Sequence, residues 1–189
     1  MNTQSIVKGS IQDITKSGDI AISIINAKVV VLCDRSGSMV SEARGGRASY
    51  EIEDDIIKRI QGRYQGQIIL VAFNDVAFTC LHGNLPMPNG NTNMLDALDK
   101  AQPFADMGMR VILITDGQPS HSEGEVIQRA QQFKGKLDTI FVGPEMSPGA
   151  DFLKRLANSV NGSNSICDLG KEPKLFEERL EILMLKAGK

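Results

Sequence analysis

Short apolar runs alternate along the chain with segments whose apolar residues recur every third or fourth position. Lys28 to Cys33 (KVVVLC), Gln67 to Phe73 (QIILVAF) and Arg110 to Thr115 (RVILIT) are nearly continuous and rich in Val and Ile. Runs of that kind predict strands covered on both faces, as in a parallel sheet. Leu137 to Val142 (LDTIFV) predicts a further strand and Ser165 to Asp168 a short last one. Val76 to Cys80 follows the second run after Asn74-Asp75 and predicts a hairpin return, hence an antiparallel edge.

Helical spacing marks Tyr50 to Gln61, with Ile52, Ile56, Ile57 and Ile60 on one face, then Met94 to Ala101, Glu123 to Phe133, Asp151 to Asn158 and Pro173 to Leu185. Strand and helix alternate, so the expected fold is α/β: a doubly wound, mostly parallel sheet with helices on both faces. Ligands in such sheets gather at the carboxyl ends of the strands, near the switch in strand order. Residues 28 to 189 are expected to form this domain and residues 1 to 27 a segment packing on it. Within that segment Ser10 is placed to cap a short helix through Ile14, while Ile20 to Ile25 fits either a strand or a packing arm. The Gly-rich turn Arg44-Gly45-Gly46-Arg47 reads as a loop inserted before the first long helix.

The bulk numbers fit one globular domain: 189 residues, 41% hydrophobic and 23% charged. Net charge is −2 and the Lys and Arg residues are scattered, so nothing recommends nucleic acid as a partner. No apolar stretch approaches the roughly 18 residues that span a bilayer. The first residues lack a basic segment followed by an apolar one, so a cytoplasmic location is expected. Cys33, Cys80 and Cys167 are odd in number and widely spaced, which predicts free, buried thiols in a reducing compartment.

The candidate chemistry begins where the first strand ends. In Asp34-Arg35-Ser36-Gly37-Ser38 one carboxylate and two hydroxyls recur at every second position, so that in an extended turn they converge. Such hard oxygen donors suit Mg²⁺ or Mn²⁺. Asp, Ser and Gly also make ordinary turns, so the run alone is ambiguous. Thr92, ahead of the helix at Met94, and Asp116, after the strand Arg110 to Thr115, have equally plain readings as an N-cap and a turn opener. Together, three oxygen-rich loops at one edge of one sheet make those readings insufficient.

These residues resemble the metal ion-dependent adhesion site of the von Willebrand factor type A (vWA) family. The Asp-x-Ser-x-Ser run is Asp34, Ser36 and Ser38, the distant Thr is Thr92 and the distant Asp is Asp116. They stand in the contexts LCDRSGSM, GNTNMLDAL and ITDG, and none departs from the pattern. The resemblance runs from about Lys28 to Leu185. It implies a Rossmann-like, six-stranded sheet with one antiparallel edge strand, in a stand-alone domain of bacterial or phage type. It also implies a bound Mg²⁺, or Mn²⁺, with Ser36, Ser38 and Thr92 as direct ligands and the two Asp bound directly or through water. In the family, a Glu or Asp carboxylate of a protein partner completes the coordination, and the C-terminal helix, here Pro173 to Leu185, often shifts. Bacterial members often work beside MoxR-type ATPases, which is an association of the family alone.

Other residues call for less. His121 lies close enough to Asp116 to rim the site, but it and His82 read as solvated loop residues. Cys33 reads as an inert interior thiol. Arg35, Arg44 and Arg47 fit either a positive rim for an acidic partner or solvated loop charges. The acidic run Glu51 to Asp55 is accounted for by the positive end of a helix. Met39, Met94, Met107 and Met109 are expected to fill the core.

Three functions are weighed: a non-enzymatic, metal-dependent protein-binding module, a structural subunit of a larger phage or mobile-element assembly, and a Mg²⁺-dependent phosphoryl-transfer enzyme. The last fares worst, because Asp34 is followed by Ser36 where such an enzyme would have a second acid.

Overall fold

The computed structural model describes residues 5–15, 24 and 26–187. In chain order they form α1 (Ile11–Ile14), β1 (Val29–Asp34), a 3₁₀ turn (Gly37–Val40), β2 (Glu42–Arg44), β3 (Arg47–Ala48) and α2 (Ser49–Arg63). Then come β4 (Ile68–Phe73), β5 (Ala77–Thr79), α3 (Met94–Asp106), β6 (Arg110–Thr115) and α4 (Glu123–Ala130). The chain ends with β7 (Leu137–Phe141), α5 (Pro148–Ser159), β8 (Asn164–Ile166) and α6 (Pro173–Ala187). The main sheet has the order β5-β4-β1-β6-β7-β8, parallel throughout except for β5, which returns antiparallel to β4 at the edge. This is the mixed six-stranded sheet that the alternation and the resemblance implied.

The continuous apolar runs are strands because the sheet is covered on both sides. In β1, Val30 and Leu32 face the layer built by α3, α4 and α5, while Val29, Val31 and Cys33 face the layer of α2 and α6. Each such side chain taken fully out of water contributes about 1.5–3 kcal/mol of transfer free energy, which is why interior strands dispense with polar alternation. The strand order reverses at β1: the chain leaves it through α2 to reach β4 on one side and returns past it to β6 on the other.

Element ends differ from the sequence expectation in instructive places. α3 runs on through Pro103 to Asp106, beyond the predicted end at Ala101, because Ala105 packs into the core and Phe104 against it. α4 stops at Ala130, short of Phe133, although the Phe133 side chain still docks. The Gly-rich turn predicted as a loop is the tip of the β2–β3 hairpin, where Gly45 and Gly46 have φ of 60° and 75°. Positive φ at both central residues matches the right-handed twist of the strands, and glycine reaches it without strain. Met39, Met94 and Met109 fill the core as expected, but Met107 is 53% exposed at the end of α3 and does not.

Near the N-terminus Ser10 caps α1 by accepting from the Asp13 N–H (3.2 Å), and Ile11 is buried. Val7 N–H and Gln12 N–H donate to the carbonyls of His82 and Leu81 (3.0 Å each). The reading of Ile20 to Ile25 as strand or arm lies outside the described residues, apart from Ile24, which packs partly buried against the core. Among the described residues no helix is long and apolar enough to cross a membrane.

Cys33, Cys80 and Cys167 are buried and free. Burial pushes the Cys80 and Cys167 thiols up to about 11 and Cys33 well above its ordinary range, so little thiolate forms at neutral pH. Alkylation without reductant is therefore expected to be slow on the folded protein and complete at all three thiols once it is denatured. Mass spectrometry that finds any two of them crosslinked would overturn this.

Candidate metal centre

Asp34 is the last residue of β1, and its side chain lies at the topological switch on the carboxyl edge of the sheet. It is fully buried. One carboxylate oxygen accepts the Ser36 N–H (2.7 Å) and the other the hydroxyl of Thr115, at the end of β6. Ser36 Oγ lies 3.0 Å from Ser38 Oγ, and Ser38 Oγ donates to Asp116 Oδ1 at 2.7 Å. Since the single Ser38 hydroxyl proton goes to Asp116, Ser36 is the donor to Ser38.

Thr92 comes from a third loop. Asn93 caps α3 by accepting from the Asp96 N–H (3.2 Å), so the Thr92 hydroxyl is not spent as an N-cap. The Thr92 N–H donates to Ser120 Oγ (3.0 Å) and its carbonyl accepts from the Ser120 N–H (2.9 Å). A Cβ placed on Gly117 would stand 3.7 Å from Thr92 Oγ1 and 4.0 Å from Ser38 Oγ, so both hydroxyls flank the bare Gly117 backbone. The turn role open to Asp116 is taken by Thr115, whose Oγ1 accepts the Gly117 N–H (3.1 Å). Asp34, Ser36, Ser38, Thr92 and Asp116 thus meet at one place.

Backbone contacts set the loops against one another. Arg35 N–H donates to Phe73 O (2.7 Å), Asn89 N–H to Arg35 O (2.8 Å) and Gly37 N–H to Gly90 O (3.0 Å). Gly90 has φ of 69°, and a side chain there would also run into the Asp75 carboxylate, which holds Asn91 through its N–H (3.2 Å) and Nδ2 (2.8 Å).

Burial pushes the Asp34 acid up to about 6, against the hydrogen bonds from Thr115 and Ser36 and with a smaller contribution from the charge on Asp116. Asp116 is raised by the same cause, opposed by Ser38. Two carboxylates pushed towards protonation by burial, beside three hydroxyls, make a donor set whose charge a divalent cation would balance. Among the described residues no three His, Cys, Asp or Glu side chains gather in a way that could hold a metal. A metal here must therefore take hydroxyl donors, and the set is one of hard oxygens that fits Mg²⁺ or Mn²⁺.

Some neighbours depart from the sequence reading. Arg35 is no rim residue: it is completely buried, with Nη2 2.5 Å from Asp54 Oδ1 and 3.4 Å from Glu53 Oε2. Glu53 is buried as well, so the acidic run is not merely a solvated helix start. Burial pushes the Glu53 acid up to about 8 although Arg35 draws it down. The only hint in the sequence was the placement of Glu53 next to Ile52 and one turn before Ile56 and Ile57. Arg47 pairs with Asp55 (2.6 Å) at the surface. His121 is exposed, and His82 Nδ1 accepts the Asn84 N–H (3.2 Å).

No protein-family model matches the sequence, and no curated protein does. Solved structures do match the fold. The ArnB paralog VWA2 from Sulfolobus acidocaldarius superposes with a TM-score of 0.59 at 19% identity, over 81% of this chain and 44% of that one. The fold is von Willebrand factor type A-like. A von Willebrand factor type A structure from Catenulispora acidiphila matches this vWA-like chain with a TM-score of 0.58 at 18% identity, over 84% of it and 43% of its own length. Proximal thread matrix protein 1 from the mussel byssus matches with a TM-score of 0.62 at 20% identity, over 85% and 46%. The vWA-like chain spans less than half the length of each of these structures.

Proposed function

We propose that this vWA-like domain binds Mg²⁺ or Mn²⁺ through Asp34, Ser36, Ser38, Thr92 and Asp116 and uses the ion to hold a Glu or Asp carboxylate of a partner protein. The observation that carries the reading is the convergence of those five side chains at the carboxyl edge, with both carboxylates pushed towards protonation by burial. When bound, the cation supplies a Lewis-acidic position for an incoming carboxylate. The two Asp balance the ion's charge only formally, and where they act through water the cation keeps its affinity for a third carboxylate.

The surroundings support docking over catalysis. Both oxygens of Asp34 are engaged by the fold's own donors, which suits a fixed support and not a nucleophile. Loops that follow strands of the sheet or lead to the site carry exposed apolar side chains: Val40 in the 3₁₀ turn, Val76 between β4 and β5, Met87 ahead of Gly90, and Met146, 97% exposed, ahead of α5. Exposed apolar residues in the loops beside a polar centre suit a protein-binding surface.

Affinity purification from the native source, in Mg²⁺ and in EDTA, tests the reading. A partner should be retained in Mg²⁺ and released by EDTA. Thr92→Ala removes one neutral ligand without altering charge and should weaken retention at least tenfold while the fold persists. A partner held equally well in EDTA, and by Thr92→Ala and Asp116→Ala, would favour the structural-subunit alternative.

A further inference from the structure

Strand geometry sends Asp34 and Arg35 to opposite faces, so the residue between two of the proposed ligands enters the layer of α2. There Arg35 meets Asp54 and Glu53, on the second turn of that helix, in a cluster that does not look built for stability. Among the described residues, Arg35 Nε and Nη1 and both Glu53 carboxyl oxygens are buried with no hydrogen-bond partner, although Glu53 Oε2 stays within ion-pair reach of Arg35 Nη2. Taking such groups out of water costs more than an incompletely bonded pair returns, and apolar residues of the same volume usually serve stability as well or better.

What the cluster does provide is a fixed point. Arg35 is the residue whose N–H is tied to the end of β4 and whose carbonyl is tied to the loop before α3. Its guanidinium adds α2 as a third anchor through Nη2, which donates to Asp54 Oδ1 (2.5 Å) and stands 3.4 Å from Glu53 Oε2, and a charged group held at that point in the interior is fixed in a way that a flexible apolar chain is not. Asp34 and Ser36, on either side, inherit that position.

We propose that Arg35, locked to Asp54 and Glu53, is a positioning residue that keeps the Asp34–Ser38 loop in the conformation that accepts a divalent cation. This rests on the metal-binding reading above, and Mn²⁺ titration of the purified protein tests the two separately. Wild type that binds Mn²⁺ and Asp34→Ala that does not would sustain the metal site; wild type that binds none would end both proposals.

Given a working site, Arg35→Met/Glu53→Met is expected to raise the Mn²⁺ dissociation constant about 10- to 100-fold. Its melting temperature in EDTA should not fall below that of wild type. Amide exchange in EDTA should accelerate at Ser36 and Gly37 and not across β1, a pattern that general destabilisation does not give. Asp54→Asn, at a side chain only 20% exposed yet outside the core, should weaken Mn²⁺ in the same direction and decides the matter if the double variant does not fold. Wild-type Mn²⁺ affinity in whichever of these variants folds would overturn the proposal.

Discussion

In EDTA at neutral pH, Asp34→Asn should melt above the wild-type protein, and added Mg²⁺ should reverse the order. The Asp34 acid is pushed up to about 6 by burial, whereas in the unfolded chain it returns to about 3.9. Between those values the folded state holds a proton that the unfolded state has released, so this group's contribution to stability falls as pH rises through the window from about 4 to about 6. Past it, the ionised carboxylate has cost about 3 kcal/mol, and Asn, which keeps an oxygen for the Ser36 N–H, avoids that cost. For a domain of this size the difference is roughly 6 to 12 °C in melting temperature.

Mg²⁺ bound only by the folded wild type adds about 2.7 kcal/mol at a hundred-fold excess over Kd, and the Asn variant should gain almost none of it. Protons compete with the ion, so the Mg²⁺ response should fade as pH drops below about 6. Melts across pH 4 to 8, with Mg²⁺ and with EDTA, check each part. An Asp34→Asn protein that melts lower in EDTA, or that responds to Mg²⁺ as wild type does, would remove Asp34 from this role.

Glu53→Gln should stabilise the protein by an amount that grows with pH. Burial pushes this acid up to about 8, while unfolding returns it to about 4.3. The native state therefore binds the extra proton across that interval, and stability is lost as pH rises through it. Gln has no proton to lose. The two proteins should differ little near pH 4.5, and by several kcal/mol near pH 9. Arg35 draws the acid down and limits the effect, but its shorter contact goes to Asp54, which leaves Glu53 the group dominated by desolvation. Denaturant titrations in EDTA at the two pH values measure this. A Gln variant weaker than wild type by the same amount at both would mean that Arg35 depends on a charged Glu53, and this account would fail.

The sheet was legible in the sequence because each central strand is buried on both faces and so has to be continuously apolar. The antiparallel edge announced itself through Asn74-Asp75, and the convergence of the three oxygen-rich loops through the position of each after an element of the sheet. What the sequence concealed was the direction of particular side chains. Arg35 looks like any loop arginine until strand alternation is followed past Asp34 and α2 is found on that side. Glu53 sits in a run of acids whose charge alone suggests solvent, and only the rotation of α2 turns it inward. Thr115 was visible in ITDG, but its two bonds, to Asp34 and to the Gly117 N–H, depend on how β6 lies against β1.

The place of β1 at the middle of the sheet has a consequence for how the protein folds. Ser38 and Asp116 are 78 residues apart in the chain, and Asp34 and Thr115 are 81. Neither pair can meet before β6 has come back alongside β1, after β4, β5 and α3 have been passed. Contacts of such long range are among the slowest to form. Under the metal-binding proposal, a cation added to a refolding chain would meet its full ligand set only once that pairing is made, and would not serve as a nucleus. Its influence would fall on the reverse step: the rate of folding is expected to stay where it was, and the rate at which the finished sheet comes apart to slow.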